Sequence, residues 1–159
     1  MLFVGEAPPV SGRFFYRADS GLYRAFRTAF KAAFPRLQDA EFLEVFKDLG
    51  CYLVDLCDSP VDDLPQTTRK MTCAESEARL ARDICDLNPK AVVTIVRSIA
   101  VNVRRALQTA DWSGEYLELP YPGRWHHHQV AFQEVLVPLL RRELPIGRES
   151  SLGFRHLIL

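Results

Sequence analysis

The chain begins with Met1-Leu2-Phe3-Val4-Gly5-Glu6-Ala7-Pro8-Pro9, the most informative stretch of the sequence. An apolar run reaches a glycine, then a single carboxylate, then two prolines, which lack the amide hydrogen that a strand ladder uses. The pattern predicts a short buried strand over residues 2–4 that ends just before Glu6. Open α/β sheets form their binding sites at the carboxyl ends of their strands, so we expect Glu6 at the mouth of a crevice.

Three further strands are predicted along the chain. Residues 51–54 form an apolar run that Asp55 ends, residues 91–96 form another, and residues 116–119 form the last. The run Ala91-Val92-Val93-Thr94-Ile95-Val96 is the clearest of them, because continuous β-branched runs are typical of strands buried on both faces.

Helical spacing of apolar residues fills the segments between these strands. Ser20 is a candidate N-cap for a first helix that stops before Pro35, and Gly50 is a candidate C-cap for a second helix over 39–49. A long loop is expected over 56–72. Thr72, with Glu75 three residues later, then forms a capping box for a helix to Leu87 that Asn88 and Pro89 break. The remaining predictions are a helix capped by Ser98 that reaches about 110, a helix from about 125 to 144, and a tail over 154–159 that fits an added strand or a packed extension.

Strands that alternate with helices predict an α/β protein, a three-layer α/β/α domain with a central four-stranded parallel sheet. At 159 residues the chain is expected to form a single domain over 1–159. Its formal net charge is zero, so any nucleic-acid binding must come from a local basic patch. The sequence has no 18-residue apolar run and no recognisable signal peptide, and we expect a cytoplasmic protein.

The parallel arrangement gathers polar residues at one sheet edge. Glu6, Asp55, Arg97 and the segment 121–128 each follow a predicted strand. Glu6 fits a general base or a water-orienting group, or else a capping or surface carboxylate. Asp55 fits either a ligand-binding acceptor or an Asx turn.

An aromatic cluster follows the first strand, with Phe14, Phe15 and Tyr16 placed between Arg13 and Arg17. Such a loop fits a stacking platform for a nucleobase, with the arginines reaching phosphates. It equally fits a loop that folds over the core.

Neither the histidines nor the cysteines form a convincing metal motif. Consecutive residues such as His126, His127 and His128 lie about 100° apart on a helix, so at most two converge on one ion. The four cysteines include no C-x-x-C pair. We therefore expect no metal and no cofactor.

Several of these motifs resemble the uracil-DNA glycosylase superfamily, most closely its bacterial and archaeal iron–sulfur branch. Val4-Gly5-Glu6-Ala7-Pro8-Pro9 is similar to the branch's first motif, and Tyr52-Leu53-Val54-Asp55 to the strand that normally ends in a base-reading asparagine. Residues 87–93 are similar to the entry into the third strand. Residues 119–123 occupy the place of a His-Pro-Ser loop. The similarity runs through nearly the whole chain, in the same order.

The resemblance implies an enzyme that flips a damaged base out of DNA and hydrolyses its N-glycosidic bond. Glu6 would position the attacking water, and Tyr121 or a nearby histidine such as His127 would stabilise the departing base. Phe15 or Tyr16 would stack on the base, and Asp55 would read its edge. Phosphates of double- or single-stranded DNA would be contacted by Arg13, Arg17, Arg97 and Arg124. The protein would act as a monomer.

The chain departs from the family pattern at two polar positions. Asp55 replaces asparagine, and an ionised carboxylate only accepts hydrogen bonds, so a base that presents an amino group suits it better than uracil. Tyr121 replaces histidine and carries no positive charge. The branch's four cluster cysteines are not reproduced. A non-catalytic nucleic-acid or nucleotide-binding protein of the same fold is therefore a second hypothesis, and an unrelated α/β protein for a small acidic metabolite is a third.

Overall fold

The computed structural model describes residues 1–37 and 42–144. Within them lie four strands, six α-helices and two short 3₁₀ turns. The strands are β1 (Leu2–Gly5), β2 (Tyr52–Asp55), β3 (Ala91–Thr94) and β4 (Glu115–Glu118). The helices are α1 (Gly21–Ala33), α2 (Phe42–Asp48), α3 (Gln66–Glu75), α4 (Glu77–Leu87), α5 (Ala100–Thr109) and α6 (His126–Glu143). The 3₁₀ turns cover Phe15–Arg17 and Arg97–Ile99.

The four strands form one parallel sheet in the order β2-β1-β3-β4. In β1, Gly5 is level with Asp55 of β2, and Val4 is level with Thr94 of β3. The chain thus continues from β1 to one side and later returns to its other side. This reversal makes the β1/β3 boundary the topological switch point, where sheets of this kind hold their ligands.

Alternate residues of β1 point into two separate hydrophobic cores. Phe3 packs with the aromatic residues of α1 and α2 and with α6, whereas Leu2 and Val4 pack with α4 and α5. The sheet is therefore covered on both faces, which confirms the three-layer α/β/α architecture. No helix in the described part of the chain is long and apolar enough to cross a membrane.

The predicted loop over 56–72 is wrong in its second half, because α3 begins at Gln66. This helix is largely polar and has little apolar periodicity, so the pattern that predicts helices is weak here. The capping box at Thr72 is also wrong. Thr72 lies inside α3, where its hydroxyl donates to the Thr68 carbonyl at 3.0 Å. The following helix, α4, begins only at Glu77.

Other local signals are confirmed with small shifts. The Ser20 side chain caps α1 by accepting from the Tyr23 amide, and Gly50 has the positive φ of 67° expected after a helix. Asn88 ends α4 in the left-handed conformation. The cap at Ser98 is wrong, since that residue lies in a 3₁₀ turn and makes no capping bond. Residues 39–41 and the tail 154–159 lie outside the described residues.

Candidate functional site

A cavity of about 660 Å³ opens at the carboxyl ends of β1, β2 and β3. It lies at the switch point that the strand order creates. Six of the ten residues predicted to be catalytic, base-binding or DNA-binding line it. They are Glu6, Arg13, Phe15, Asp55, Tyr121 and Arg124.

Glu6 extends from the end of β1 into this cavity and is ion-paired with Arg69 of α3. The Arg69 Nε donates to Glu6 Oε1 at 2.6 Å, and its Nη2 donates to Oε2. The Glu6 side chain is only 12% exposed, whereas that of Arg69 is 36% exposed. A two-point bond of this kind fixes the plane of the carboxylate, and each oxygen keeps lone-pair capacity for a further donor.

Asp55 is another carboxylate of the cavity, which the exposed Asp62 also lines, and its environment differs from that of Glu6. Burial raises the pKa of Asp55 to about 6, and the nearby positive charge of Arg79 offsets only part of that effect. Its carboxylate lies directly over Gly5, where an added Cβ would collide with Asp55 Oδ1. A glycine at the end of β1 is thus what allows the Asp55 carboxylate to reach the cavity.

Arg79 of α4 braces the end of β2 from behind. Its Nη2 donates to the carbonyl oxygens of Asp55 and Leu56 at 2.6 and 2.8 Å. The same guanidinium is ion-paired with Asp58 and Asp83. A side chain 24 residues away thus fixes the backbone of Asp55, which restricts where its carboxylate can lie.

The aromatic loop divides between the core and the cavity. Phe15 is 2% exposed and packs edge-on against Phe26 and Tyr23, yet it also borders the cavity with the half-buried Phe14. The aromatic loop therefore covers the core and also borders the cavity.

Tyr16 lies outside the residues that line the cavity. Its hydroxyl donates to the Leu53 carbonyl at 3.1 Å and accepts from the Leu53 amide at 2.7 Å. Leu53 belongs to the edge strand β2, so the phenol occupies backbone groups that a neighbouring strand would otherwise use. Burial raises the pKa of Tyr16 to about 12. This geometry favours Phe15 or Phe14 over Tyr16 as the ring nearest a ligand.

Tyr121 stands at the cavity mouth, where its side chain is 53% exposed. His127 lies in the first turn of α6, exposed, with its ring 4.1 Å from that of His128. None of the three histidines at 126–128, which belong to the described residues, lines the cavity. Tyr121 and His127 are the two groups suggested to stabilise the departing base, and of these two Tyr121 lines the cavity.

Two of the four predicted phosphate-binding arginines, Arg13 and Arg124, are at the cavity. Arg17 donates to the Gly12 carbonyl within its own loop at 3.3 Å. Arg97 is exposed on the 3₁₀ turn after β3 and outside the cavity lining. Arg24 of α1 is a further cavity arginine, which the sequence did not single out.

The cysteines do not form a four-thiolate site. Cys57 and Cys73 are buried with their sulfur atoms 3.6 Å apart, whereas Cys85 is exposed on α4 and Cys51 is buried just before β2. Burial raises the pKa of the Cys73 thiol to about 12. In the part of the chain that the structure describes, no group of three or more His, Cys, Asp or Glu side chains is placed to hold a metal ion. These residues do not fit the iron–sulfur cluster of the branch that the sequence resembles.

Besides Arg24, sequence reasoning missed Arg69 and Arg79, which contact the two strand-end carboxylate residues. Arg69 lies in the segment predicted as loop, and Arg79 lies within a correctly predicted helical stretch. The sequence does show both arginines in the connection between β2 and β3, after the strand-end carboxylates Glu6 and Asp55. Without the helix bounds, their distance to the sheet edge could not be judged.

No protein-family model matches the chain, and no curated protein matches it.

Proposed function

We propose that the protein binds a nucleotide unit of DNA with its base in the switch-point cavity and hydrolyses the N-glycosidic bond of that base. One observation carries the proposal. The cavity is lined by the carboxylates Glu6 and Asp55 in different environments and by the exposed Asp62, together with an aromatic wall, a phenol and bordering arginines. Where two carboxylates in one site have different environments, they commonly take different roles. Here one would stabilise charge and the other would recognise the base in a protonation-dependent way.

Glu6 is the proposed catalytic carboxylate. Cleavage of an N-glycosidic bond builds positive charge on the sugar and negative charge on the departing base. A carboxylate fixed in plane by Arg69 stabilises the first charge and orients a water through its remaining lone pairs. Tyr121, which lines the same cavity, is the proposed hydrogen-bond donor to the departing base.

Asp55 is the proposed base-reading group. When ionised, it accepts hydrogen bonds from an exocyclic amino group. When protonated, it donates one to a carbonyl. Because its pKa is about 6, both forms are accessible near neutral pH. The expected base preference is therefore broader than uracil and changes with pH.

The DNA backbone is the proposed partner of Arg13 and Arg124. Neither guanidinium has a hydrogen-bond or ion-pair partner among the residues that the structure describes, and both border the cavity. Contacts of this kind to phosphates predict binding that weakens as salt increases.

The test is excision of bases from a duplex panel that contains uracil, hypoxanthine, xanthine and mismatched pairs. The wild-type protein should leave abasic sites in at least one substrate. Glu6→Gln should lower that rate by about 10²- to 10⁴-fold while DNA binding persists. The matched control is Glu44→Gln on the exposed face of α2, which should retain full activity. DNA binding without any excision across the panel would refute catalysis.

A non-catalytic nucleic-acid or nucleotide-binding role is the second candidate. Two features favour it, because Arg69 already occupies both oxygens of Glu6 and no described histidine lines the cavity. This role predicts salt-dependent DNA binding that Glu6→Gln leaves unchanged, with no abasic product. Arg13→Met should weaken that binding in either case, so this variant reports on the site and not on the chemistry.

A further inference from the structure

A second cavity lies on the far side of the Glu6–Arg69 ion pair. It occupies about 480 Å³ between α3 and the start of α5. Glu6, Arg69 and Ser98 line both cavities, so the ion pair forms part of the wall between them.

The charge of this second cavity is positive. Its lining contains three cations, Arg69, Lys70 and Arg105, against the single carboxylate of Glu6. The Lys70 ammonium has no hydrogen-bond or ion-pair partner within residues 1–37 and 42–144. Glu6 pairs with Arg69, and Glu77, just outside the lining, pairs with Arg105, so the positive charge of Lys70 is left without a counter-ion in this concave site.

Two of the lining side chains are held in place by a residue just outside the lining. Glu77 Oε1 accepts from Asn102 Nδ2 at 2.7 Å and pairs with Arg105 Nη1 at 3.4 Å. The second amide hydrogen of Asn102 and the other nitrogens of Arg105 stay available as donors. Gln66 adds another amide on the opposite wall. The donors and cations together match the requirements of a tetrahedral oxyanion.

We propose that this second cavity is a phosphate-binding subsite, and that its ligand shares Arg69 with Glu6. The guanidinium can serve either the Glu6 carboxylate or a phosphate oxygen, because it stands in the wall between the two cavities. A phosphate that draws Arg69 toward it releases donors from Glu6 and leaves that carboxylate free to bind water. The phosphate subsite depends only on the cations and donors of the second cavity. A role for the phosphate in regulating Glu6 rests on the proposed function.

The phosphate group can belong to the backbone of nucleic acid or to a free phosphate or phosphomonoester. A volume of about 480 Å³ is large compared with the roughly 30 Å³ that one water takes in the liquid. The cavity therefore has room for a phosphate and for part of the group that carries it. Both sources present the same group to the cavity, a phosphate whose oxygens accept hydrogen bonds from the lining side chains.

Calorimetric titration with inorganic phosphate at constant ionic strength tests the subsite. Lys70→Met/Arg105→Met should weaken phosphate binding at least tenfold. The control is Arg82→Met/Lys90→Met, which removes two exposed cations elsewhere and should leave the affinity unchanged. Glu6→Gln should strengthen phosphate binding severalfold, because a neutral amide competes less well for Arg69 than a carboxylate does. Absence of phosphate binding, equal affinity of the two double variants, or no gain in Glu6→Gln would overturn the proposal.

A short oligonucleotide added to the phosphate-bound protein distinguishes the sources. Displacement of phosphate identifies the nucleic-acid backbone as the ligand, and retention identifies a free phosphate group. Both results support the subsite. Failure of the glycosylase assay leaves this readout intact, because it measures phosphate binding and not base excision.

Discussion

Replacing Asp55 with asparagine should stabilise the protein at neutral pH. Burial raises the pKa of this carboxyl group from 3.8 to about 6. A shift of about two pKa units corresponds to roughly 3 kcal/mol. Asp55 is partly exposed at the cavity, and solvent screening reduces this value. We expect Asp55→Asn to raise the free energy of unfolding by about 1 to 2 kcal/mol at pH 7.

The effect has a defined pH dependence. Between about pH 4 and pH 6 the folded state holds a proton on Asp55 more tightly than the unfolded state does, since the folded pKa is the higher one. The wild type therefore loses stability relative to Asp55→Asn as pH rises through this interval. Below it, both side chains are neutral and the difference should vanish. Above it, the difference should be constant.

Urea denaturation of the two proteins at a series of pH values from about 4 to 7 measures this difference. Asp63→Asn serves as the control, because that carboxylate is exposed and outside the cavity lining. It should give a stability difference close to zero throughout. A difference for Asp55→Asn that does not change with pH, or that favours the wild type at pH 7, would refute the reasoning about burial.

Three other substitutions test the surroundings of the site by the same measurement. Tyr16→Phe removes the hydroxyl that bonds both backbone groups of Leu53 and should cost about 1 to 2 kcal/mol of stability. Gly5→Ala brings a methyl group into the Asp55 carboxylate and should cost about 1 to 3 kcal/mol. Phe15→Ala empties a fully packed aromatic position and should cost about 3 to 5 kcal/mol.

The substitutions at Tyr16 and Gly5 each have a control. Tyr52→Phe alters an exposed tyrosine of the same edge strand and should leave stability unchanged within about 0.5 kcal/mol. Gly21→Ala adds a methyl group that meets no crowded atom and should not destabilise the protein. Losses in these controls as large as those at Tyr16 and Gly5 would show that the specific contacts are not the cause.

The framework of the fold could be predicted because its signals are local. The apolar run that precedes Gly5 predicts β1, and the run that begins at Ala91 predicts β3. The Ser20 cap and the Gly50 stop depend on backbone geometry within a few residues. Such features involve neighbours in sequence, so one chain is enough to infer them.

The partners of the site residues could not be predicted, because they are remote in sequence. Arg69 is 63 residues from Glu6, and Tyr16 is 37 residues from Leu53. The sequence suggested Tyr16 as a stacking ring because it adjoins Phe15, yet its hydroxyl binds the sheet edge. A hydroxyl that satisfies an exposed strand leaves no periodic signal. The polar composition of α3 concealed the helix that carries Arg69 in the same way.

The strand order explains why Glu6 has a different set of neighbours from Asp55. β1 is an interior strand, so residues from both sides of the switch point reach its carboxyl end. Glu6 consequently borders both cavities, whereas Asp55, on the edge strand β2, borders only the larger one. An anion in the smaller cavity changes the field at Glu6 directly, through Arg69, and reaches Asp55 only across the ion pair. The two carboxylates can therefore respond to different signals, Glu6 to a phosphate in the smaller cavity and Asp55 to protonation.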